Sequence, residues 1–183
     1  MKTIEEILSG PTPQSFFTSG EFRTDPRFLI FIDMISIPQP IRYHPEGDVL
    51  NHVVEVLATV ATATDHFQAR LAAMLHDIGK VLTPKEIWPR HLNHDNTEAE
   101  ALARTFLAQF PEVGEATVAF VAATIHYHMA AKTFHEFKGA ARRRMFRKLG
   151  AENIEAFCLV LLADHTEAKE IEEILLFKKT NNL

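Results

Sequence analysis

A single cysteine in 183 residues, Cys158, leaves no partner for an internal disulfide. Its place in the apolar run 157–163 reads as a buried, inert thiol, and a reducing compartment, the cytoplasm, is the expected location. Positive charge is short as well: 19 Lys and Arg stand against 24 Asp and Glu, a formal net charge of −5. No whole-surface positive field exists to hold duplex nucleic acid or an anionic membrane, so any phosphate must meet a local site. Long hydrophobic runs are missing too. The longest, near 28–32 and 157–163, fall far below the ~18 residues of a membrane span, and the N-terminus lacks the apolar core of a signal peptide. No segment alternates β-branched and polar residues between turn pairs, which argues against a sheet-based fold.

What is present is a normal globular balance, 46% hydrophobic and 23% charged, in a length suited to one domain with one core. Eight of nine prolines precede residue 90, which leaves the C-terminal half free for long helices. Apolar residues recur at i, i+3, i+4 in several segments, so the expected fold class is all-α. A short helix is expected over 3–8, ended by Gly10 and followed by a loop to Thr24. Asp25 caps and Pro26 opens a helix through Ile35, which Pro38 and Pro40 stop. Asp48 caps a helix over 49–62. Asp65 with Gln68 forms a capping box for a helix through Leu75, and Thr97 with Glu100 forms another for a helix to Phe110. Further helices are expected over 113–132, 136–149 and 152–177. Residues 1–34 read as an N-terminal helical extension, appended to or part of a main domain over 35–183.

Ten histidines against seven glycines is the unusual count. The link between the helices of 49–62 and 65–75 centres near residue 64, with His52 twelve positions before it and His76 twelve after. At 1.5 Å per residue both lie roughly 18 Å from the turn, so an antiparallel pair of helices places them level. Asp77 directly follows His76, about 100° away on a regular helix, and Gly79 permits the unwinding that turns both inward. Asp164 interrupts an apolar stretch, where a lone carboxylate is costly without a cation. Two imidazoles and two carboxylates from three helices form a mixed N/O donor set suited to divalent Mn, Fe, Co, Ni or Zn. His94, His126 and His128 offer an extension to a second ion, although His126 and His128 point roughly 200° apart on a helix and cannot both face it. A divalent metal lowers the pKa of a water it holds and neutralises charge on a phosphoryl oxygen, so phosphate-ester hydrolysis is the chemistry expected.

His52, then His76-Asp-Ile-Gly-Lys80, then Asp164 resemble the His, His-Asp, Asp pattern of the HD superfamily of metal-dependent phosphohydrolases. Ile37-Pro-Gln-Pro40, Tyr43-His-Pro-Glu-Gly-Asp48, the continuation of the second motif to Pro84, and Trp88-Pro-Arg-His91 are similar to the HD domain of the bacterial CCA-adding enzymes, the tRNA nucleotidyltransferases. The likeness runs from about Ile35 to Ala168 and leaves the segment 1–34 outside. It implies an HD-domain helical bundle binding one or two divalent ions, with His52, His76, Asp77 and Asp164 as the core ligands. His94 and His128 are the implied ligands of a second ion; His128 is favoured over His126 because its neighbours fit the family better. In those enzymes the domain carries 2′,3′-cyclic phosphodiesterase and phosphatase activity, so the implied substrate is a small nucleotide or phosphate ester, or an RNA end. Asp77 is expected to bridge the metals and orient the nucleophile, and Lys80 and Arg90 to stabilise phosphate charge.

Nothing in the chain resembles a nucleotidyltransferase head, so CCA addition is not expected of it, and the Gly-Tyr-Pro extension of cyclic-di-GMP phosphodiesterases is missing. A rival reading rests on Arg142-Arg-Arg144 with Arg147 and Lys148, the one basic cluster: an RNA-binding or nucleotide-sensing module with a structural metal and no turnover. His44 and His91 sit in loops suited to substrate contact or to packing. His66, His135 and His165 read as surface or packing residues.

Overall fold

Side-chain caps set where several helices begin. In the computed structural model, which describes all 183 residues, ten α-helices follow one another: α1 (Ile4–Leu8), α2 (Gly20–Thr24), α3 (Leu29–Met34), α4 (Val49–Ala63), α5 (Phe67–Leu75), α6 (Thr97–Leu107), α7 (Glu115–Ala131), α8 (Gly139–Leu149), α9 (Ile154–Ala163) and α10 (Ala168–Thr180). Asp48 accepts the backbone N–H of Asn51 at 2.9 Å and starts α4, satisfying one of the donors a helix start leaves free. Val49, Val53, Val56, Leu57 and Val60 give α4 one buried stripe. By contrast α5 is buried along its whole length from Ala69 to Leu75, as an enclosed central helix must be. α4, α7 and α9 pack around it, and α6 lies against α7. α9 is also apolar on most sides and holds Cys158, whose thiol burial pushes up to about 12, which leaves it inert. No helix is long and apolar enough to cross a membrane.

The segment 1–34 packs into the same core. The loop expected up to Thr24 is instead a 3-10 helix, Pro13–Thr18, followed by α2. Phe16, Phe17 and Phe22 are buried there and meet largely edge to face. Phe28, with no exposed surface, joins this group to Phe106 and Phe110 at centroid distances of 5.8 and 5.9 Å. Arg70 of α5 adds a polar tie: its buried guanidinium donates to the carbonyls of Leu8 (2.6 Å), Gly10 (2.8 Å) and Thr64 (2.8 Å). The sequence offered aromatic pairs between prolines but no periodicity, so this segment was illegible as helix.

Other boundaries shift for identifiable reasons. Asp25 caps as expected, its carboxylate accepting the Arg27 N–H at 3.0 Å, and Pro26 opens a 3-10 turn that runs into α3. Neither expected capping box forms. His66 precedes α5 without a side-chain cap, and Asn96 rather than Thr97 caps α6, accepting from Glu98 (2.9 Å) and Ala99 (3.0 Å). α8 starts at Gly139 rather than at 136, because 134–136 close a separate 3-10 turn. The single helix expected over 152–177 is two helices, α9 and α10. His165 at φ 57° turns the chain just after Asp164, and this break sets Asp164 at the end of α9, facing the site.

Candidate metal centre

Four helices deliver the ligands. His52 lies on α4, His76 and Asp77 at the end of α5, His128 on α7 and Asp164 at the end of α9; His94 comes from the loop before α6. After His76 the backbone leaves the α-helix: Asp77 has φ −105° and ψ 12°, and a 3-10 helix, Ile78–Leu82, follows. The turn brings two consecutive side chains to one centre, with His76 Nε2 3.3 Å from Asp77 Oδ2. Gly79 lies inside this 3-10 helix without a left-handed φ, so glycine is required there for close approach rather than for the unwinding expected of it. A Cβ there would overlap the backbone carbonyl of His94, so close approach at Gly79 sets where His94 stands.

Each imidazole has a fixed tautomer. The Nδ1–H groups of His76, His94 and His128 donate to the carbonyls of Ala73 (2.8 Å), His91 (2.6 Å) and Ile125 (2.7 Å). His52 Nδ1–H donates to the Glu46 carboxylate at 2.7 Å. In the neutral rings all four Nε2 atoms are therefore lone-pair acceptors, and they converge. His52 and His76 Nε2 stand 3.4 Å apart, and those of His94 and His128 stand 3.2 Å apart. Asp164 Oδ1 lies 3.2 Å from His52 Nε2, while Asp77 Oδ1 lies 3.1 Å from His94 and 3.5 Å from His128. Two buried triads result, His52, His76, Asp164 and Asp77, His94, His128. Asp77 joins them, since its second oxygen faces His52 and His76.

Six acceptor side chains packed together need positive charge. Two ammonium groups supply part of it: Lys80 Nζ lies 2.6 Å from Asp77 Oδ2 and Lys132 Nζ 2.8 Å from Asp164 Oδ2. Burial opposes the charge on Asp77, yet Lys80 and His76 outweigh it and hold the carboxyl well below its ordinary range. Burial is likewise overcome at Asp164, chiefly by His52, His76 and Lys132. Burial works against the imidazolium of His76, but Asp77 and Asp164 raise its pKa, whereas at His128 burial prevails and lowers it. With Lys80 as its one ammonium contact, Asp77 Oδ2 also faces the imidazole lone pairs of His52 and His76. Carboxylate oxygens buried among imidazole lone pairs are the environment a divalent ion completes, and an all-N/O donor set suits Mn, Fe, Co, Ni or Zn.

The structure brings together His52, His76, Asp77, His94, His128 and Asp164 and sets Lys80 beside them. It places Arg90 elsewhere: the residue is exposed and does not line the cavity above the ligands. Its flanking residues Pro89 and His91 take that wall instead. His126 faces outward and pairs with Glu100 at 2.9 Å. His91 is buried, bonded to Thr83 Oγ1 and the Pro38 carbonyl, and so braces the loop. Three residues of the site were missed. Lys132, which caps the end of α7, follows His128 by four, a helical spacing that could have shown it. Glu46 and Gln39, the latter bonded to Lys80 Nζ at 2.5 Å, reach the site from the 38–48 loop; both stand in the motifs at 37–40 and 43–48, which was the signal available, but no helical register showed which way they face.

Elemental analysis separates the two neighbouring histidines. His128→Ala is expected to lose bound metal, because it deletes one of three ligands of the second triad, whereas His126→Ala is expected to retain the wild-type content. Metal loss in His126→Ala alone would overturn the ligand assignment.

Residues 49–171 match the HD domain family, and the chain belongs to it. The family is one of metal-dependent phosphohydrolases that bind divalent ions, and the donor set above fits such an ion. Among curated proteins, the chain is similar to the Multifunctional CCA protein of Methylococcus capsulatus, 32% identical over 175 residues, a match covering 92% of this chain and 41% of that protein. It is similar to the Multifunctional CCA protein of Pasteurella multocida at 29% over 182 residues, covering 93% and 43%. The protein of that name from Shewanella frigidimarina is 36% identical over 93 residues, covering 49% and 22%. The chain thus spans about two-fifths of the length of the first two relatives. With over nine-tenths of the chain covered, those two matches extend into the segment 1–34, beyond the limit the motifs alone had drawn.

Proposed function

We propose that the chain is a metal-dependent phosphohydrolase acting on a phosphomonoester or a 2′,3′-cyclic phosphodiester of a nucleotide or an RNA end. The observation that carries this reading is the pair of triads joined by Asp77, of which Asp77, His94 and Asp164 line a cavity of about 630 Å³ together with Lys132. That volume is in the range of small-molecule sites and takes much more than a phosphate. A divalent ion bound to the triads supplies a lowered pKa for water and positive charge for a phosphoryl oxygen. The protein's own side chains do the rest. Asp77, gripped by Lys80 and indirectly by Gln39, keeps one oxygen toward each triad. Lys80 is buried and engaged, so it orients Asp77 and adds positive charge beside it. Lys132, 31% exposed, is the cation that can meet a non-ligated phosphate oxygen as a point charge, the role the sequence suggested for Arg90.

The test is hydrolysis by protein stripped of metal and reloaded with Mn, Fe, Co, Ni or Zn in turn. The panel comprises 2′,3′-cyclic AMP, 2′- and 3′-nucleoside monophosphates, an aryl phosphate and a 3′,5′-diester. Metal-dependent release from cyclic or monoester substrates is expected. A protein that takes up metal but cleaves none of them contradicts the reading.

A second reading has its own observation. Lys138 to Lys148 holds six basic residues and no acidic one in a chain of net charge −5. On α8, Arg143, Arg144, Arg147 and Lys148 are exposed and unpaired, opposite the buried Met145, Phe146 and Leu149. None of them lines the cavity. If this face holds RNA, replacing Arg143, Arg144 and Arg147 together by Gln is expected to weaken tRNA binding across sequences and to flatten its salt dependence by roughly one unit per charge. Mononucleotide hydrolysis should be nearly unchanged. A loss of that turnover, with metal content and helicity intact, would place the basic face in the active site.

A further inference from the structure

One carboxylate serves two imidazoles beside the metal centre. Glu46 Oε1 accepts from His52 Nδ1–H at 2.7 Å and from His44 Nδ1–H at 3.0 Å. Its side chain is 5% exposed, that of His52 1% and that of His44 18%. The two rings pack edge to face with centroids 4.6 Å apart. His52 uses its other nitrogen in the first triad, whereas His44 lines the cavity and its Nε2 has no protein partner.

We propose that Glu46 is a positioning residue of the metal centre, holding the Nδ1–H tautomers of His52 and His44 with a single oxygen so that each presents an Nε2 lone pair. For His52 that lone pair would go to the metal the first triad holds when loaded. A carboxylate on the far nitrogen raises the basicity of the ligating one and fixes the ring's rotation. The other three ligand histidines get a neutral carbonyl for this purpose; His52 alone gets an anion. For His44 the lone pair is an acceptor at the cavity wall, suited to a substrate hydroxyl. The proposal rests on the triads being the metal site.

The backbone that carries Glu46 is secured without its side chain. Gly47, at φ 99°, closes the turn by donating to the His44 carbonyl at 3.2 Å. Gln39 N–H donates to the Gly47 carbonyl at 3.0 Å, and Asn51 Nδ2 donates to the Glu46 carbonyl at 3.2 Å. A side-chain substitution at 46 therefore leaves the turn held. His44, Glu46 and His52 are also close enough to be a metal group in themselves, but that would require Nδ1 of His52, which already gives its proton to Glu46.

The experiment uses metal-free protein and Mn or Zn as the probe. Long-range ¹H–¹⁵N spectra of the imidazoles report the tautomers, and calorimetric titration reports metal affinity; circular dichroism and thermal melting of the metal-free variants report the fold. Wild type is expected to show His52 and His44 in the Nδ1–H form. Glu46→Ala is expected to change both imidazole patterns and to weaken metal binding by about 10–100-fold. Glu46→Gln keeps the shape but removes the charge, and is expected to weaken binding less; it is the variant to read if Glu46→Ala does not fold. His44→Ala, which leaves Glu46 on His52, is expected to bind metal as wild type does. Wild-type affinity and unchanged tautomers in folded Glu46 variants would overturn the proposal. So would a loss in His44→Ala as large as in Glu46→Ala, since His44 would then itself be a ligand. Failure of the wild-type protein to bind metal would instead strike the underlying reading of the triads.

Discussion

Replacing Asp77 by Asn should abolish most phosphate-ester turnover, by on the order of 10³-fold, and take the retained metal with it. Asp77 is the only side chain that faces both triads, with Oδ1 toward His94 and His128 and Oδ2 toward His52 and His76. An amide is nearly the same size but carries no charge, so both sites lose their shared anion at once. The substitution also strands Lys80, whose buried ammonium keeps only Gln39 as a partner. A buried pair broken on one side costs about 3–5 kcal/mol, and some loss of activity could then come from unfolding. Pairing Asp77→Asn with Lys80→Met removes the stranded charge. The double variant is expected to regain most of the stability and none of the turnover. Turnover that recovered along with the melting temperature would mean that Asp77 acts through folding rather than through the metal.

The second large effect lies far from the chemistry. Phe28→Ala should destabilise the protein by about 3–5 kcal/mol, the usual cost of emptying a fully buried phenylalanine site. For a chain of this length that lowers the melting temperature by on the order of 10 °C. Phe28 meets Phe16, Phe22 and Phe31 from the N-terminal segment and Phe106 and Phe110 beyond it, on and just after α6. The cavity left behind would sit between two parts of the molecule, neither free to collapse alone. Equilibrium denaturant unfolding checks this. A cost near that of a surface substitution would show that the segment 1–34 merely rests on the core, as a detachable extension would.

These two expectations draw on different depths of the sequence. The all-α class followed from apolar spacing, and the opposition of His52 and His76 followed from counting residues on either side of one turn; the observed Nε2 atoms stand 3.4 Å apart. Both are consequences of helical repeat, which a sequence displays directly. The break after Asp164 was not read because no Gly or Pro marks it; only the weak helix formers Asp164, His165 and Thr166 stand there. These residues tolerate a helix without favouring it, and the chain turns at His165, φ 57°, leaving Asp164 at the end of its helix beside the other ligands. The aromatic segment before Asp25 failed in the opposite way, having tertiary partners but no local period. Within the site, the metal-ligating residues were legible, whereas Glu46 and Gln39 stood inside quoted motifs with no role read for them and Lys132 went unread despite its helical spacing from His128. Glu46 has no helical neighbour to betray it; its role exists only because the turn at Gly47 folds its carboxylate under two rings.

The central claim is that six side chains from four helices and one loop, arranged as two triads, hold one or two divalent ions. Anomalous X-ray scattering from crystals of the protein loaded with Mn, Co or Zn, recorded on either side of the metal's absorption edge, tests it most directly. A peak is expected about 2.0–2.2 Å from Nε2 of His52 and His76 and an oxygen of Asp164, or from the corresponding atoms of Asp77, His94 and His128. An anomalous map with no peak among these six residues, or with its strongest peak at a different set of side chains, would contradict the account.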